Sequence, residues 1–442
     1  MDSIKHYLSS HEASDIHPSE LAKILKELTD EEFANEICLV PKELLGDVAL
    51  ELPDRYFDQI ASILSVEELS IAVTELESDD QVDFMDELKE VDAELASKVF
   101  DLLGKEDQEE IEKLSKYDED EAGAYMQLEL FTAYKEEIVE DVIQRFAKLR
   151  NANELENVQS LFIVGKEKKL RYTVALDQLL VFDFKRSLLE NIEASKHSFE
   201  PKSAKDREDI KEVVHYFEEY NLATMPVVNT QGILLGRITS DDVYDLINEH
   251  ATEQMYHLAG LDDDVEDDEA VIKAAKKRAS WLIVNLFTAI AASLVIGVFS
   301  ETIDSMVALA ILMPIVASMG GNAGTQSLTV VVRQLALGEL SKYAAVRIVK
   351  KELFIALGNG FFFALLMGII AYLWFGIEML GVVIALSMII NLLMAGFFGA
   401  TVPLLLKRLH IDPAIGSTVI LTTVTDVIGF FSFLGLATLI LL

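Results

Sequence analysis

The sequence predicts a multi-domain chain: an α-helical superhelical N-terminal domain, then an α/β module of two similar halves, then a five-helix transmembrane domain. Three observations carry this. The 442 residues bear a formal net charge of −37, unevenly spread. Residues 271–442 hold 11 Lys and Arg against 7 Asp and Glu, which leaves residues 1–270 at a net −41. Apolar residues recur every 12 positions near the N-terminus, and five long apolar segments fill the C-terminal part. The pattern shifts divide the chain into 1–128, 129–240, a connecting helix and acidic linker at 241–270, and 271–442.

In the first segment Leu28, Val40, Leu52, Leu64, Leu76 and Leu88 each precede a helix-start cluster: TDEE, PKEL, PDRY, SVEE, ESDD and KEVD. Pro, Ser, Thr and Asp suit helix N-termini. Short helices that each bury an apolar face on the next build a solenoid. The large acidic surplus repels itself unless cations screen it, and it argues against nucleic-acid binding. A single cysteine, Cys38, allows no intrachain disulfide. The opening stretch MDSIKHYLSSHEASDIH has no apolar run, so no cleavable signal peptide is expected.

From about Tyr125 strand-like runs alternate with helical ones. Leu161–Val164, Leu170–Val174, Met225–Val228 and Ile233–Ile238 read as strands. Glu137–Leu149, Leu176–Leu180, Asp206–Tyr220 and Asp241–Glu249 read as helices. The run MPVVNTQGILLGRITSDDVYDLI is strand, Gly turn, strand, then a helix opened by Thr239. It resembles the second half of a CBS-domain pair, and residues 160–180 resemble the first half. Such pairs often bind ATP or another adenine nucleotide through a Thr-x-x-Asp element. Here that element is Thr239 and Asp242. The first copy has Val174 at the Thr position, so the resemblance implies at most one intact nucleotide site, and a purely structural pair stands as its equal.

Five apolar segments, about 281–299, 306–332, 353–375, 380–406 and 413–442, can each cross a bilayer. Lys273, Lys276, Lys277 and Arg278 precede the first. Arg333, Lys342, Arg347, Lys350 and Lys351 lie between the second and third, and Lys407 and Arg408 between the fourth and fifth. The other two loops lack Lys and Arg. This alternation places the soluble half in the cytoplasm and the C-terminus outside.

Two spans carry polar groups. The fifth holds Asp426 with no Lys or Arg from Pro413 to Leu442. An ionised side chain in hydrocarbon is expensive, so an intramembrane acid is a functional-site candidate; the alternative is a buried Asp bonded to a neighbouring helix. Thr418, Thr422, Thr425, Asp426 and Gly429 share one helical stripe. The second span contains PIVASMGGNAGTQSL, and Pro314, Gly320, Gly321 and Gly324 there predict an interrupted helix. Asn322 and Gln326 add amides, as expected of a permeation path. The alternative is that Gly320 and Gly324 form a small-xxx-small packing face.

The GGNxGxQ element, the KRLHIDPA loop at 407–414 and the TTVTDVIGF run at 422–430 together resemble the MgtE family of magnesium channels and transporters. DDQVDFMDEL, SKYDEDEAGAYM and the CBS-like pair fall in that family's order. The resemblance implies a homodimer in the cell membrane with a pore on its axis. Asp426 would be the central ion-binding acid. Asn322, Gln326, Thr422, Thr423 and Asp412 correspond to pore-lining or pore-mouth positions. Regulatory Mg²⁺ would be held by acids of the N-domain and CBS faces: Asp79, Asp80, Asp83, Asp241, Asp242, Asp245, Glu249 and Glu253. His250 and Gln254 depart from the acids expected on that helix. No protein partner beyond a second copy is implied.

The chemistry agrees with that resemblance. No His or Cys lies in a span, so ligation there is by oxygen alone, which suits Mg²⁺, with Mn²⁺ or Co²⁺ as possible competitors. An enzyme is disfavoured: no HExxH motif is present, and only Asp426 lies at depth where an aspartyl protease needs two acids. A Mg²⁺ carrier coupled to Na⁺ or H⁺ exchange remains the alternative.

Overall fold

The computed structural model describes residues 4–10, 16–53, 55–152, 155, 157–261, 271–336, 342–414 and 416–442. The acidic linker Asp262–Glu269 and part of the basic loop at 333–352 lie outside the described residues. The chain divides into two compact units, 1–248 and 249–442.

The N-terminal region is all helix: α1 Ile4–Ser10, α2 Pro18–Lys26, α3 Asp30–Glu36, α4 Leu45–Leu50, α5 Arg55–Ile63, α6 Val66–Thr74, α7 Ser78–Val91, α8 Ala93–Leu102 and α9 Lys105–Leu114. The 12-residue repeat is the series of inter-helix corners. Val40, Leu52, Leu64 and Leu76 sit buried in the turns between successive helices, while the helix after each begins on the polar cluster. Thr29 and Ser65 form capping boxes with Glu32 and Glu68. The repeat fails at Leu88. That residue lies inside α7, which runs on to Val91, and the next helix starts where Asp92 accepts from the amides of Glu94 and Leu95. The N-cap is the stronger local signal because it satisfies two orphan donors at once.

The α/β module has two three-stranded sheets. The first half is β1 Thr132–Tyr134, α10 Val139–Asn151, β2 Ser160–Val164, β3 Leu170–Ala175, α11 Leu176–Leu179 and α12 Leu188–Ala194. The second is β4 Ala204–Lys205, α13 Ile210–Tyr220, β5 Thr224–Val228, β6 Leu234–Thr239 and α14 Ser240–Ala259. In each half the middle strand pairs parallel to the first and antiparallel to the third. Each middle strand shifts register near its end, between Ile163 and Val164 and between Val227 and Val228. The shared irregularity marks the halves as copies. The short first strands were not legible, since three and two residues carry no period. Gly232 closes the β5–β6 turn at φ +78, where a side chain is strained.

The segment after α9 lies along the second half. Ala122 and Gly123 amides donate to the carbonyls of Glu208 and Asp206, and Gln127 pairs with Arg237. One apolar cluster consequently runs from Ile4 through the helical repeats to Ile238 and Leu246.

The second unit contains the end of α14 and then α15 Val271–Val298, α16 Ser300–Ser305, α17 Val307–Ala336, α18 Lys342–Phe375, α19 Glu378–Arg408 and α20 Ser417–Leu441. Five of these are long and apolar enough to cross a membrane. The expected 300–305 loop is the short helix α16. α19 is the most enclosed; it packs on α17, α18 and α20. Glycines permit the approach. A Cβ on Gly381 would fall 2.7 Å from the Gly368 carbonyl of α18, and one on Gly399 would fall 2.5 Å from the Gly324 carbonyl of α17.

α17 corrects one expectation. It runs unbroken from Val307 to Ala336 through Pro314 and the glycines. Gly320 and Gly324 serve close packing instead: their absent side chains make room for Asn391 and Leu421. Helix–helix contact outweighs the roughly 1 kcal/mol by which each Gly disfavours helix. A second correction concerns intramembrane acids. Glu352 lies within the third apolar helix, is 5% exposed, and accepts from Ser327 Oγ of α17 at 2.8 Å. Its place beside the basic residues Lys350 and Lys351 hid it in a loop.

The packing generates a test. Gly399→Ala is expected to destabilise the protein by about 1–3 kcal/mol, because the intruding Cβ meets backbone that cannot rotate away. Gly358→Ala, where a Cβ meets nothing within 4 Å, is expected to be neutral or slightly stabilising. Thermal unfolding in detergent separates the two; equal melting temperatures would contradict this account of α19.

Candidate ion-binding sites

The membrane site is built on α17 and α20. The Gly324–Leu421 contact sets the level at which the two helices meet. Asn322 and Gln326 flank Gly324 on α17 and face away from that contact, and on α20 Thr422 lies one turn before Asp426. Asn322 and Gln326 are exposed in the single chain, Thr422 is exposed, and Thr423 and Asp426 are partly buried. Thr422 and Thr423 hydroxyls donate to the carbonyls of Thr418 and Val419, at 2.8 and 2.6 Å. Their protons are thus spent on the helix, and their lone pairs face outward as acceptors. Asn322 Nδ2 reaches Ser318 Oγ at 3.5 Å, a marginal contact. Among the described residues no hydrogen bond or ion pair engages Asp426. The result on α20 is a row of oxygen acceptors, Thr422, Thr423 and Asp426, in an otherwise apolar helix.

Asp412 lies apart from that row, in the loop before α20. One carboxylate oxygen accepts from the Ala414 amide at 2.6 Å, and the other is 3.5 Å from His257 Nδ1 near the end of α14. The structure therefore ties Asp412 to the connecting helix. Glu249 and Glu253 also lie on that helix, and Glu253 is 2.9 Å from His250. The departure at His250 supplies an acid with an intrahelical partner.

The soluble site is an acidic seam between α7 and α14. Both helices begin with acids: Glu77 at the N-cap of α7 followed by Asp79 and Asp80, and Asp241 and Asp242 in the first turn of α14. Helix N-termini favour negative charge, which explains why the acids stand there. Burial then opposes them. Asp79 is 6% exposed, and burial first, then Asp80, Asp242 and Glu77, holds its carboxyl well above the usual range. Burial, with Asp242 and Asp83 beside it, also pushes Asp80 up. Glu77 is pushed up to about 7 by burial, against the pull of Arg237. Asp242 rises for the same first reason, opposed by its bond from Thr239 Oγ1 at 2.7 Å. Asp245 is raised by burial and by Glu51.

Among the described residues one base enters this seam: Arg237, fully buried, 3.7 Å from Glu77. Glu129 accepts from the Ser78 amide and hydroxyl and so closes the end of α7. Buried oxygens of Glu77, Asp79, Gln81 and Gln127 find no hydrogen-bond donor among the described residues. Such acceptors suit a hard cation or its bound water. Among the described residues no three acidic, His or Cys side chains converge on one point. Mg²⁺ does not demand that, since it keeps several waters and is usually held by one or two carboxylates. Sequence reading found Asp79, Asp80, Asp83, Asp241, Asp242 and Asp245 but missed Glu77, Glu129 and Arg237. The adjacency of Glu77 to the DD pair in ESDD was the available signal. Thr239 is fully buried and bonds Asp242, so this pair closes on itself at the start of α14.

Residues 313–436 match a family model described as a divalent cation transporter, residues 16–120 the MgtE intracellular N domain, and residues 197–249 a CBS domain. The magnesium transporter MgtE of Thermus thermophilus is 29% identical, covering 97% of this chain and 94% of that protein. The magnesium transporter MgtE of Bacillus subtilis is 26% identical, covering 96% and 92%. A crystal structure of the cytosolic domain of the Mg²⁺ channel MgtE in complex with ATP is 26% identical, covering 55% of this chain and 98% of that one, at a TM-score of 0.49. With the N domain, the second CBS half and the membrane helices matched in order along nearly the whole chain, this protein belongs to the MgtE family of magnesium transporters.

Proposed function

We propose that the chain forms a magnesium-selective channel, open through a dimer axis past Asp426 and closed when cytosolic Mg²⁺ binds the acidic seam. Asp426 is the observation that carries the reading: a carboxylate within a membrane helix, with no base on its helix and no partner in the described chain. Two copies facing one another would offer a pair of carboxylates to a hydrated Mg²⁺. Thr422, Thr423, Asn322 and Gln326 would orient its water shell, so the ion need not be stripped. The exposure of these groups in one chain supports a second copy as the opposite wall. The basic segments flanking the spans support a cytoplasmic soluble half.

The seam supplies the gate's differential. A ligand shifts a two-state equilibrium only by binding one state better. Buried like charges disfavour the packed arrangement of α7 against α14, and a divalent ion among them reverses the sign. The CBS-domain match over residues 197–249 supports an adenine nucleotide as a further ligand, and the closed Thr239–Asp242 pair would have to open to meet it. The second reading, a carrier coupled to H⁺ or Na⁺, draws on Glu352, a further buried acid in the membrane. Flux under a voltage step in proteoliposomes separates the two: a channel current follows the Mg²⁺ gradient alone.

Three outcomes are expected. Asp426→Ala and Asp426→Asn should both reduce Mg²⁺ uptake into proteoliposomes to background while leaving a folded protein, because the amide keeps shape but not charge. Wild-type-like uptake by either would refute the assignment.

The raised carboxyls set a pH dependence. A group whose folded pKa exceeds its unfolded value stabilises the fold below the unfolded value, near 4, and that contribution is lost as pH rises through the folded one, about 7 for Glu77. In chelator, the full-length protein should therefore be cut by protease faster at pH 8 than at pH 6 within its soluble half. Several millimolar Mg²⁺ should abolish the difference, with protons released on binding. Cleavage rates indifferent to both pH and Mg²⁺ would remove the seam from the sensor.

Deleting residues 1–128 should leave a conducting channel that needs more internal Mg²⁺ to close, since the α7 half of the seam is gone. Open probability against internal Mg²⁺ is the measurement. An unchanged half-closing concentration would exclude the N-domain from sensing.

A further inference from the structure

The ion-facing positions lie on α17 and α20, and a third helix holds those two at their separation. Between them, on α19, stands Asn391, 0% exposed. Its Nδ2 donates to the Val316 carbonyl of α17 at 2.7 Å. Two glycines make room for it. A Cβ on Gly320 of α17 would fall 2.3 Å from that Nδ2, and one on Gly429 of α20 would fall 2.9 Å from it. Gly320 is two residues before Asn322. Gly429 is three residues after Asp426, on the same side of the helix. The second amide atom, Oδ1, has no hydrogen-bond partner among the described residues. A half-satisfied amide is an expensive way to fill an apolar bundle; a leucine of similar volume would leave no such acceptor. What the amide supplies and leucine does not is a directed bond to one pore helix made in a slot that the other closes.

We infer that Asn391 is a positioning residue for the pore: seated between Gly320 and Gly429, its amide sets the spacing between the Asp426 face of α20 and the Asn322–Gln326 face of α17. The inference rests on the reading of Asp426 as the ion site and says what fixes that site's width. Width matters because divalent ions differ chiefly in size. Mg²⁺–oxygen distances are about 2.1 Å and Ca²⁺–oxygen distances about 2.4 Å, and Ca²⁺ accepts looser geometry. Asn391 itself is sealed from the path and touches no ion.

The test uses the full chain in proteoliposomes: Mg²⁺ uptake with Ca²⁺ as competitor, for wild type, Asn391→Leu, Gly429→Ala and Asp426→Asn, with melting temperature recorded for each. Asn391→Leu removes the bond to Val316. Gly429→Ala keeps the amide but displaces it, and Ala is the better helix former, so folding is not lost through the backbone. Both are expected to conduct and to lose about tenfold in preference for Mg²⁺ over Ca²⁺. An unchanged ion preference overturns the inference, whether or not the melting temperature falls, since a purely structural amide would move stability alone. Should Asn391→Leu fail to fold, Gly429→Ala decides by the same criterion. Background uptake by Asp426→Asn tests the ion site separately: its failure would sink the reading of Asp426, while the Asn391 variants are still scored on ion preference.

Discussion

Burying a carboxylate costs far more than one hydrogen bond returns, and this chain does so along α7 and α14, and in part at Asp426 in α20, without supplying enough bases to neutralise the charge. Among the described residues Arg237 is the one base within the soluble seam, and its pull on Glu77 is smaller than the cost of burial. Uncompensated charge of this kind is balanced by protons or by cations from solution. Both clusters are therefore incomplete as protein alone, and the same deficit underlies the proposal of a transported ion at one and a regulating ion at the other.

The two sites solve the deficit differently because their surroundings differ. On α20 there is one acid, Asp426, set near the Thr422 and Thr423 hydroxyls, whose protons are spent on the helix. On the proposed reading such a site would attract a divalent ion without holding it by several carboxylates, as conduction requires. In the soluble unit several acids crowd one seam and repel one another. Their energy depends steeply on whether a cation is present, as a switch requires. Within the second unit, His257 near the end of α14 contacts Asp412 in the loop before α20.

The helix that holds the membrane unit together carries none of the candidate ion-binding residues. α19 is apolar almost throughout, yet its glycines and Asn391 decide how near α17, α18 and α20 approach. Backbone-to-backbone packing of this sort admits no adjustment by side-chain rotation. The spacing of the ion-facing helices is consequently a rigid property of the bundle.

Length, charge and period were enough to find the helical repeats, four of the six strands, the paired α/β halves and the five spans, because each leaves a local imprint in the order of apolar and polar residues. Asp426 was legible for the same reason: an acid in an apolar run needs no structure to be conspicuous. The seam was half legible. Asp79, Asp80 and Asp242 stood out as clusters, but their burial, and the roles of Glu77, Glu129 and Arg237, depend on α7 meeting α14 across more than 150 residues of sequence. Tertiary structure also reversed the reading of the Gly-rich stretch in α17. A glycine in a sequence marks either a break or a close approach, and only the presence of Asn391 and Leu421 opposite Gly320 and Gly324 decides between them. What residues a segment contains is written in its order; which surfaces share a buried space is settled when distant segments pack, since desolvation and close contact arise only between them.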